Sequence, residues 1–214
     1  MKDKIRMILR EGVVDDTIKR ILIFDFDGTM IDTDTPESGK ALWQQEFGFE
    51  WPFTGWWGRP ESLDSTIYFE KNKEKLSPQI YEKGISKNIF DNTPISSTVS
   101  DYNNETESDV DGKKIKRSDT LTILLTGRHS GVGELVTKIL NTRGLTFDEY
   151  IYKTGNKETH EFKEEILNQL ARKYPDLEEM QIWEDRNDHL PIFKAWANKQ
   201  TFKVIVHHVT DATK

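Results

Sequence analysis

The feature that most limits what this chain can fold into is a short apolar run, Ile21-Leu22-Ile23-Phe24, that stops abruptly at Asp25 and Asp27. A strand with one wet face alternates apolar and polar residues, whereas an unbroken run is buried on both faces, as in a parallel sheet covered by helices. The pattern recurs. Leu121–Leu125 is a second such run and ends in Thr126-Gly127-Arg128, and Phe147–Tyr152 is a weaker third. Met180–Trp183 ends in Glu184-Asp185, and Phe202–His207 is the fifth. Between them Glu134–Arg143, Thr159–Tyr174 and about Leu190–Lys199 carry helical spacing, with Gly144 and Pro175 where helix ends belong. Strand and helix alternate, which predicts an α/β fold: a doubly wound, mostly parallel, Rossmann-like sheet with helices on both faces.

Two stretches lie outside that alternation. Residues 1–20 place Ile5, Met7, Ile8, Val13, Val14 and Ile18 at roughly helical spacing, broken at Gly12, and read as a helical lead-in. Residues 21–31 and 119–214 form the predicted core, leaving 32–118 as an insertion after the first strand. The insertion opens with aromatic residues (Trp43, Phe47, Phe49, Trp51, Phe53, Trp56 and Trp57) and ends, at about 97–118, in a polar, acidic tail. Such a tail has little apolar surface to bury and is expected to be a mobile loop. At 214 residues the chain has room for one α/β domain with such an insertion.

Composition removes several function classes. No apolar run reaches the roughly 18 residues of a membrane span, and the start, MKDKIRMILREGVVDD, is too polar and acidic for a secretory signal. With no cysteine there is neither a disulfide framework nor a thiolate zinc site, in keeping with a cytoplasmic protein. A net charge of -7 argues against tight non-specific binding to a phosphate backbone, while leaving room for a local basic groove.

The chemistry concentrates at strand ends. In Asp25-Phe26-Asp27-Gly28-Thr29, two carboxylates at i and i+2 can face one site once the chain turns, and Gly28 permits the turn. One carboxylate can attack phosphorus while the other protonates the departing oxygen. The carboxyl edge of a central strand is also where open α/β sheets bind ligands. Read alone, Asp25 and Asp27 could merely cap a turn, Thr126 could be a helix N-cap, and Glu184-Asp185 could be a solvated turn.

Taken in order, these pieces resemble the motifs of the haloacid dehalogenase (HAD) superfamily. Asp25-Phe26-Asp27-Gly28-Thr29 resembles the first motif, Thr126 in LLTGR the second, and Glu184-Asp185 in IWEDR the acidic fourth. Lys163 in HEFKEEIL is the best candidate for the lysine of the third, with Lys157 and Lys153 as alternatives. LLTGR, RGLTFDEY, the lysine-bearing helix and IWEDR with His189 behind it further resemble the Swiss Army Knife RNA repair-like branch. They are similar as well to the phosphatase half of bacteriophage-type polynucleotide kinases, although no kinase phosphate loop of the form G-x-x-x-x-G-K-[ST] is present.

The resemblance implies a Mg²⁺-dependent phosphatase with Asp25 as nucleophile and Asp27 as acid and base. Thr126, Gly127, Arg128 and Lys163 would hold the phosphoryl oxygens. Asp25, the Asp27 carbonyl and Asp185 or Glu184 would hold the metal, with Asp188 a weaker candidate. Its substrate would be a phosphorylated RNA or DNA end or a nucleotide; the alternatives are a small phosphorylated metabolite, or a phosphate-binding module without turnover. Arg128 could instead form a salt bridge to Glu184 or Asp148. The superfamily often places a small cap after its first strand, so Trp56, Trp57 and Arg59 are candidates for stacking on a base and pairing a phosphate. The bland alternative is that both tryptophans are insertion core, and a mixed outcome, with one buried, one partly exposed and Arg59 nearest the phosphate, is the expectation.

Overall fold

The computed structural model describes residues 17–110 and 113–213, so most of the expected lead-in helix lies outside the described residues. The chain enters through β1 (Arg20–Phe24), makes a tight loop and passes through a short β2 (Ile31–Asp32). Helices α1 (Pro36–Phe47), α2 (Thr66–Asn72) and α3 (Pro78–Ile85) follow before β3 (Thr93–Pro94) pairs back onto β2. Next come α4 (Ser96–Thr106) and a hairpin of β4 (Glu107–Val110) and β5 (Lys113–Lys116). The remainder alternates: β6 (Thr120–His129), α5 (Gly133–Thr142), β7 (Glu149–Lys153), α6 (Thr159–Lys173), β8 (Glu179–Glu184), α7 (Leu190–Ala197) and β9 (Lys203–His208).

Five strands form one parallel sheet in the order β7-β6-β1-β8-β9. The chain builds outward from β1 through β6 to β7, then returns to the other side for β8 and β9. The order therefore reverses beside β1, and the crevice at the carboxyl ends of β1, β6 and β8 is the place such sheets bind ligands. The expected doubly wound α/β architecture is present.

Side-chain alternation sorts the sheet into two cores. Ile21, Ile23, Ile123, Leu125, Met180 and Ile182 face α6 and α7, meeting Phe162, Ile166, Leu167, Leu170, Phe193 and Trp196. Leu22, Phe24, Leu124 and Trp183 face the other way, toward α5 and α4. A third cluster lies between β2 and β3, where Trp43, Trp56, Phe69 and Phe90 gather Leu42, Phe47, Trp51 and Tyr68. Gly39 and Gly84 make it compact, since a Cβ on either would meet Trp56 or Phe69 ring carbons at 2.1 Å.

The expected mobile loop at about 97–118 is instead α4 and the β4–β5 hairpin. What orders so polar a helix is a set of contacts with distant parts of the chain. Tyr102 packs edge-on against Phe24 at 5.7 Å and donates its hydroxyl to Thr146 O. Asp101 accepts the Trp183 indole N–H at 2.9 Å, and Glu105 pairs with Arg20. Trp183 is itself stacked between Phe24 and His207, with centroids at 4.2 and 4.3 Å. No described helix is long and apolar enough to cross a membrane.

Candidate active site

Strand parity explains why the acidic residues meet. Counting by twos from Ile21 and Ile23 puts Asp25 on the α6 face, and counting from Met180 and Ile182 puts Glu184 there too. Phe24 lies opposite Trp183 in the β1–β8 ladder, so the two carboxylates are neighbours. Helix α6 covers this face with Phe162, Ile166, Leu167 and Leu170, and Lys163 occupies a buried position in the same stripe. Its Nζ donates to Asp25 Oδ2 at 2.6 Å and to Glu184 Oε2 at 2.7 Å.

Of the three lysines considered for the third motif, Lys163 is therefore the one joined to Asp25. Lys157 is exposed and pairs with Glu165, while Lys153 lines the cleft and reaches Thr159 Oγ1 at 3.5 Å. Attraction to the two carboxylates raises the Lys163 pKa, outweighing a burial effect in the opposite direction. Glu184 is 1% exposed; burial raises its pKa, but Lys163 and then His189 more than reverse this and hold it low. Asp25 is pushed up to about 6, chiefly by burial, with Glu184 and Asp27 adding repulsion against the attraction of Lys163.

The loop after β1 turns back on itself, with Phe26 O accepting from Met30 N and Ile31 N and Gly28 N donating to Ile31 O. It brings Thr29 Oγ1 to 3.1 Å from Asp185 Oδ1. Gly28 has φ +65°, and a Cβ there would lie 2.4 Å from Asp185 Oδ2, so the loop and Asp185 approach as closely as only glycine allows. Gly28→Ala is expected to cost about 1–2 kcal/mol in backbone conformation alone. On a chain of this size that is a fall of roughly 2–8 °C in Tm, read by thermal unfolding. An unchanged Tm would show that the loop can relax out of its left-handed conformation at this position.

One carboxylate oxygen from each of Asp25, Glu184 and Asp185 lies within 4.8 Å of the others. Asp185 is pushed up to about 7, first by burial and then by the charges of Asp25 and Glu184. One lysine against three crowded carboxylates leaves a surplus of negative charge, and hard oxygen donors in such a cluster suit a divalent cation. Asp25 and Asp185 line the open cleft, whereas Glu184 lies beneath them beside Lys163. Asp188 is apart from the cluster, paired with exposed Arg186.

Strand β6 supplies the opposite wall. Thr126 pairs with Tyr152 and His129 with Lys153, so Gly127 and Arg128 bulge out of register, as strands do where a side chain is re-aimed. Thr126 is buried and its Oγ1 accepts from Arg128 N at 3.1 Å, which leaves its hydroxyl proton to donate. The Arg128 guanidinium does not reach Glu184, Asp148 or the open cleft. It is 0% exposed, forks onto Asp27 at 2.7–3.0 Å and donates to Ser62 Oγ at 2.8 Å. The side chain expected as a substrate contact is thus buried under the insertion and paired with a carboxylate. Asp27 also accepts from Thr33 Oγ1 at 2.6 Å.

Arg59 also lies apart from the cleft, with its guanidinium over Phe53 at 4.7 Å. The two tryptophans separate. Trp56 is buried in the insertion core with its indole N–H on Asp34 O at 3.0 Å, while Trp57 is 39% exposed and lines the cleft. That cleft, about 450 Å³, is walled by Asp25, Asp27, Gly127, Asp185, Lys153 and Trp57 among others. Sequence reading missed Lys153 as a cleft residue; its place at the end of an apolar strand, like Asp25 and Thr126, was the available signal.

A Rossmann-like sheet with Asp25 directly after β1, Thr126 within β6 and an α6 lysine joined to both Asp25 and Glu184 is of the haloacid dehalogenase type. Residues 40–214 match the family described as HAD domain family 1 in Swiss Army Knife RNA repair proteins, and the chain belongs to that family. The matched segment contains Thr126, Lys163, Glu184 and Asp185 and begins after Asp25 and Asp27. An uncharacterized protein of Saccharomyces cerevisiae is 25% identical over 201 residues, which are 86% of this chain and 38% of that protein. The chain thus spans well under half of that relative's length. No solved structure gives a significant match.

Proposed function

We propose that this HAD-family domain is a Mg²⁺-dependent phosphomonoesterase working through a phosphoaspartate on Asp25, with nucleic-acid ends or nucleotides as substrates. The observation that carries the reading is Asp25 itself. It is a buried carboxylate at the switch point of the sheet, held by Lys163 at 2.6 Å and by the Phe26 amide at 2.7 Å, and open to the cleft. A carboxylate has lone pairs to spare beyond two hydrogen bonds, so it remains able to attack.

Asp25 and Asp185, with the Asp27 carbonyl as the family resemblance implies, would hold Mg²⁺, and Glu184 would serve them by fixing Lys163. When bound, the ion offsets the charge of a phosphate dianion among carboxylates and orients it. Asp25 Oδ attacks phosphorus as the bond to the leaving oxygen breaks, and Asp27, entering this step protonated, gives that oxygen its proton. Water then attacks the phosphoaspartate, Asp27 takes its proton, and inorganic phosphate departs. Thr126, the Gly127 backbone and Lys163 steady the phosphoryl oxygens as charge spreads over them. Trp57 keeps the stacking role expected of it, a face for the leaving group, and Lys153 supplies the cation at the cleft wall that was expected of Arg59 and Arg128.

Phosphate release with Mg²⁺ from 3′- and 5′-phosphorylated oligonucleotides, mononucleotides and sugar phosphates tests the reading. Excess chelator is expected to lower turnover by about a hundredfold or more. Undiminished turnover in chelator would remove the metal from the reaction. Phosphate retention without release from any ester would make the domain a binding module.

A further inference from the structure

Arg128 is engaged on two sides at once, and one side belongs to the insertion. Its Nε and Nη2 hold both oxygens of Asp27, while Nη1 donates to Ser62 Oγ in the turn Pro60–Ser62. Ser62 is 1% exposed and spends its own proton on Arg59 O at 2.7 Å, so its oxygen is oriented as an acceptor for Arg128. The rings of Trp57 and Phe26 lie against the guanidinium, with its carbon 5.2 and 5.8 Å from their centroids. Backbone bonds from Arg59 N to Trp56 O and from Ser62 N to Arg59 O place Trp57 and Ser62 in two consecutive turns that share Arg59.

We infer that these turns of the insertion, through Ser62 and Trp57, position Arg128, and that Arg128 in turn orients Asp27 toward the leaving group. Proton transfer thereby depends on how the insertion sits over the sheet. The inference rests on the phosphatase reading. A guanidinium presents its donors in a fixed plane, so the bond to Ser62 fixes the rotation of the fork that grips Asp27. Trp57 shares the cleft with Asp25, so a leaving group lying on its exposed surface meets the same pair of turns that holds Arg128. Ser62 lies away from the cleft and cannot act by touching substrate. In this scheme Ser62 and Arg128 are positioning residues.

The test is leaving-group dependence. An aryl phosphate expels a stable phenolate without a proton, whereas a nucleoside monophosphate expels a sugar alkoxide that needs one. The value of kcat/KM covers steps up to leaving-group departure and so isolates this half of the reaction. Ser62→Ala is expected to lower kcat/KM for the nucleoside monophosphate about tenfold, a modest part of what a placed acid contributes. For p-nitrophenyl phosphate the loss should stay under about twofold, because no acid is required. Ser62→Thr, which keeps the hydroxyl, should close this gap between the two esters, and Arg128→Lys, which keeps the charge and loses the fork, should widen it. Should Ser62→Ala fail to fold, Arg128→Lys gives the same reading. Equal losses on both esters, or none on either, would overturn the inference and leave the phosphatase reading standing. Wild-type protein inert toward both esters and toward phosphorylated oligonucleotide ends would remove the two together.

Discussion

Asp25→Asn is expected to abolish phosphate release while leaving the protein folded. An amide cannot attack phosphorus, and loss of a nucleophile that forms the covalent intermediate lowers turnover on the order of 10⁴-fold or more. Asn keeps the shape and the acceptor oxygen, and Lys163 retains Glu184 at 2.7 Å. Burial pushes the Asp25 acid up to about 6, so the folded state is already penalised for carrying that charge. An acid with a raised folded-state pKa is one whose ionised form destabilises the fold, and replacing it with a neutral amide removes that cost. The Tm of Asp25→Asn should therefore equal or exceed that of the wild type near neutral pH, as is common when active-site groups are sacrificed. Steady-state turnover and a melting curve measure the two halves of the prediction. Turnover within tenfold of wild type would take the nucleophile role away from Asp25.

Lys163→Met is expected to damage both stability and activity. Lys163 is 2% exposed and is the cation shared by Asp25 and Glu184, both buried. Removing one partner of a buried ionic group strands the others, at a cost of about 3–5 kcal/mol. In a chain of this length that is a fall of roughly 6–20 °C in Tm. The double variant Lys163→Met with Glu184→Gln should recover part of that loss, because one of the stranded charges is gone. Neither variant should regain turnover, since the phosphoryl oxygens lose their ammonium partner. A single variant that melts like the wild type would mean that a cation from solvent replaces the lysine, and the lysine would then be dispensable to the fold.

Legibility in the sequence followed the range of the interactions involved. The strand runs were visible because burial on both faces demands an unbroken apolar stretch, and four of them ended where Asp25, Thr126, Tyr152 and Glu184 stand in the sheet. Lys163 also had a local mark. It sits in the apolar stripe of α6 beside Ile166 and Leu167, a position a solitary lysine does not occupy without a buried partner. The polar stretch after Ser96 misled because a helix made of Ser, Thr, Asn and Asp has no stripe to speak of. It folds by giving Asp101 to Trp183 and Glu105 to Arg20, partners 82 and 85 residues away.

What the sequence determined by itself, then, was the alternation that builds the sheet and the face on which each strand presents its last residue. Both follow from periodicities of two and 3.6 acting over a few residues. Which groups meet across those faces was decided only in the tertiary structure. Arg128 looked like a substrate ligand until the bulge in β6 and the turn at Ser62 enclosed it with Asp27, 101 residues distant. Trp56 and Trp57, adjacent and identical in kind, were divided by packing alone, one drawn under Gly39 into the insertion core and the other left at the cleft. A side chain's charge and shape are written locally. Its partner is chosen by the whole fold, because a buried charge or indole N–H must find its complement wherever the chain happens to bring one.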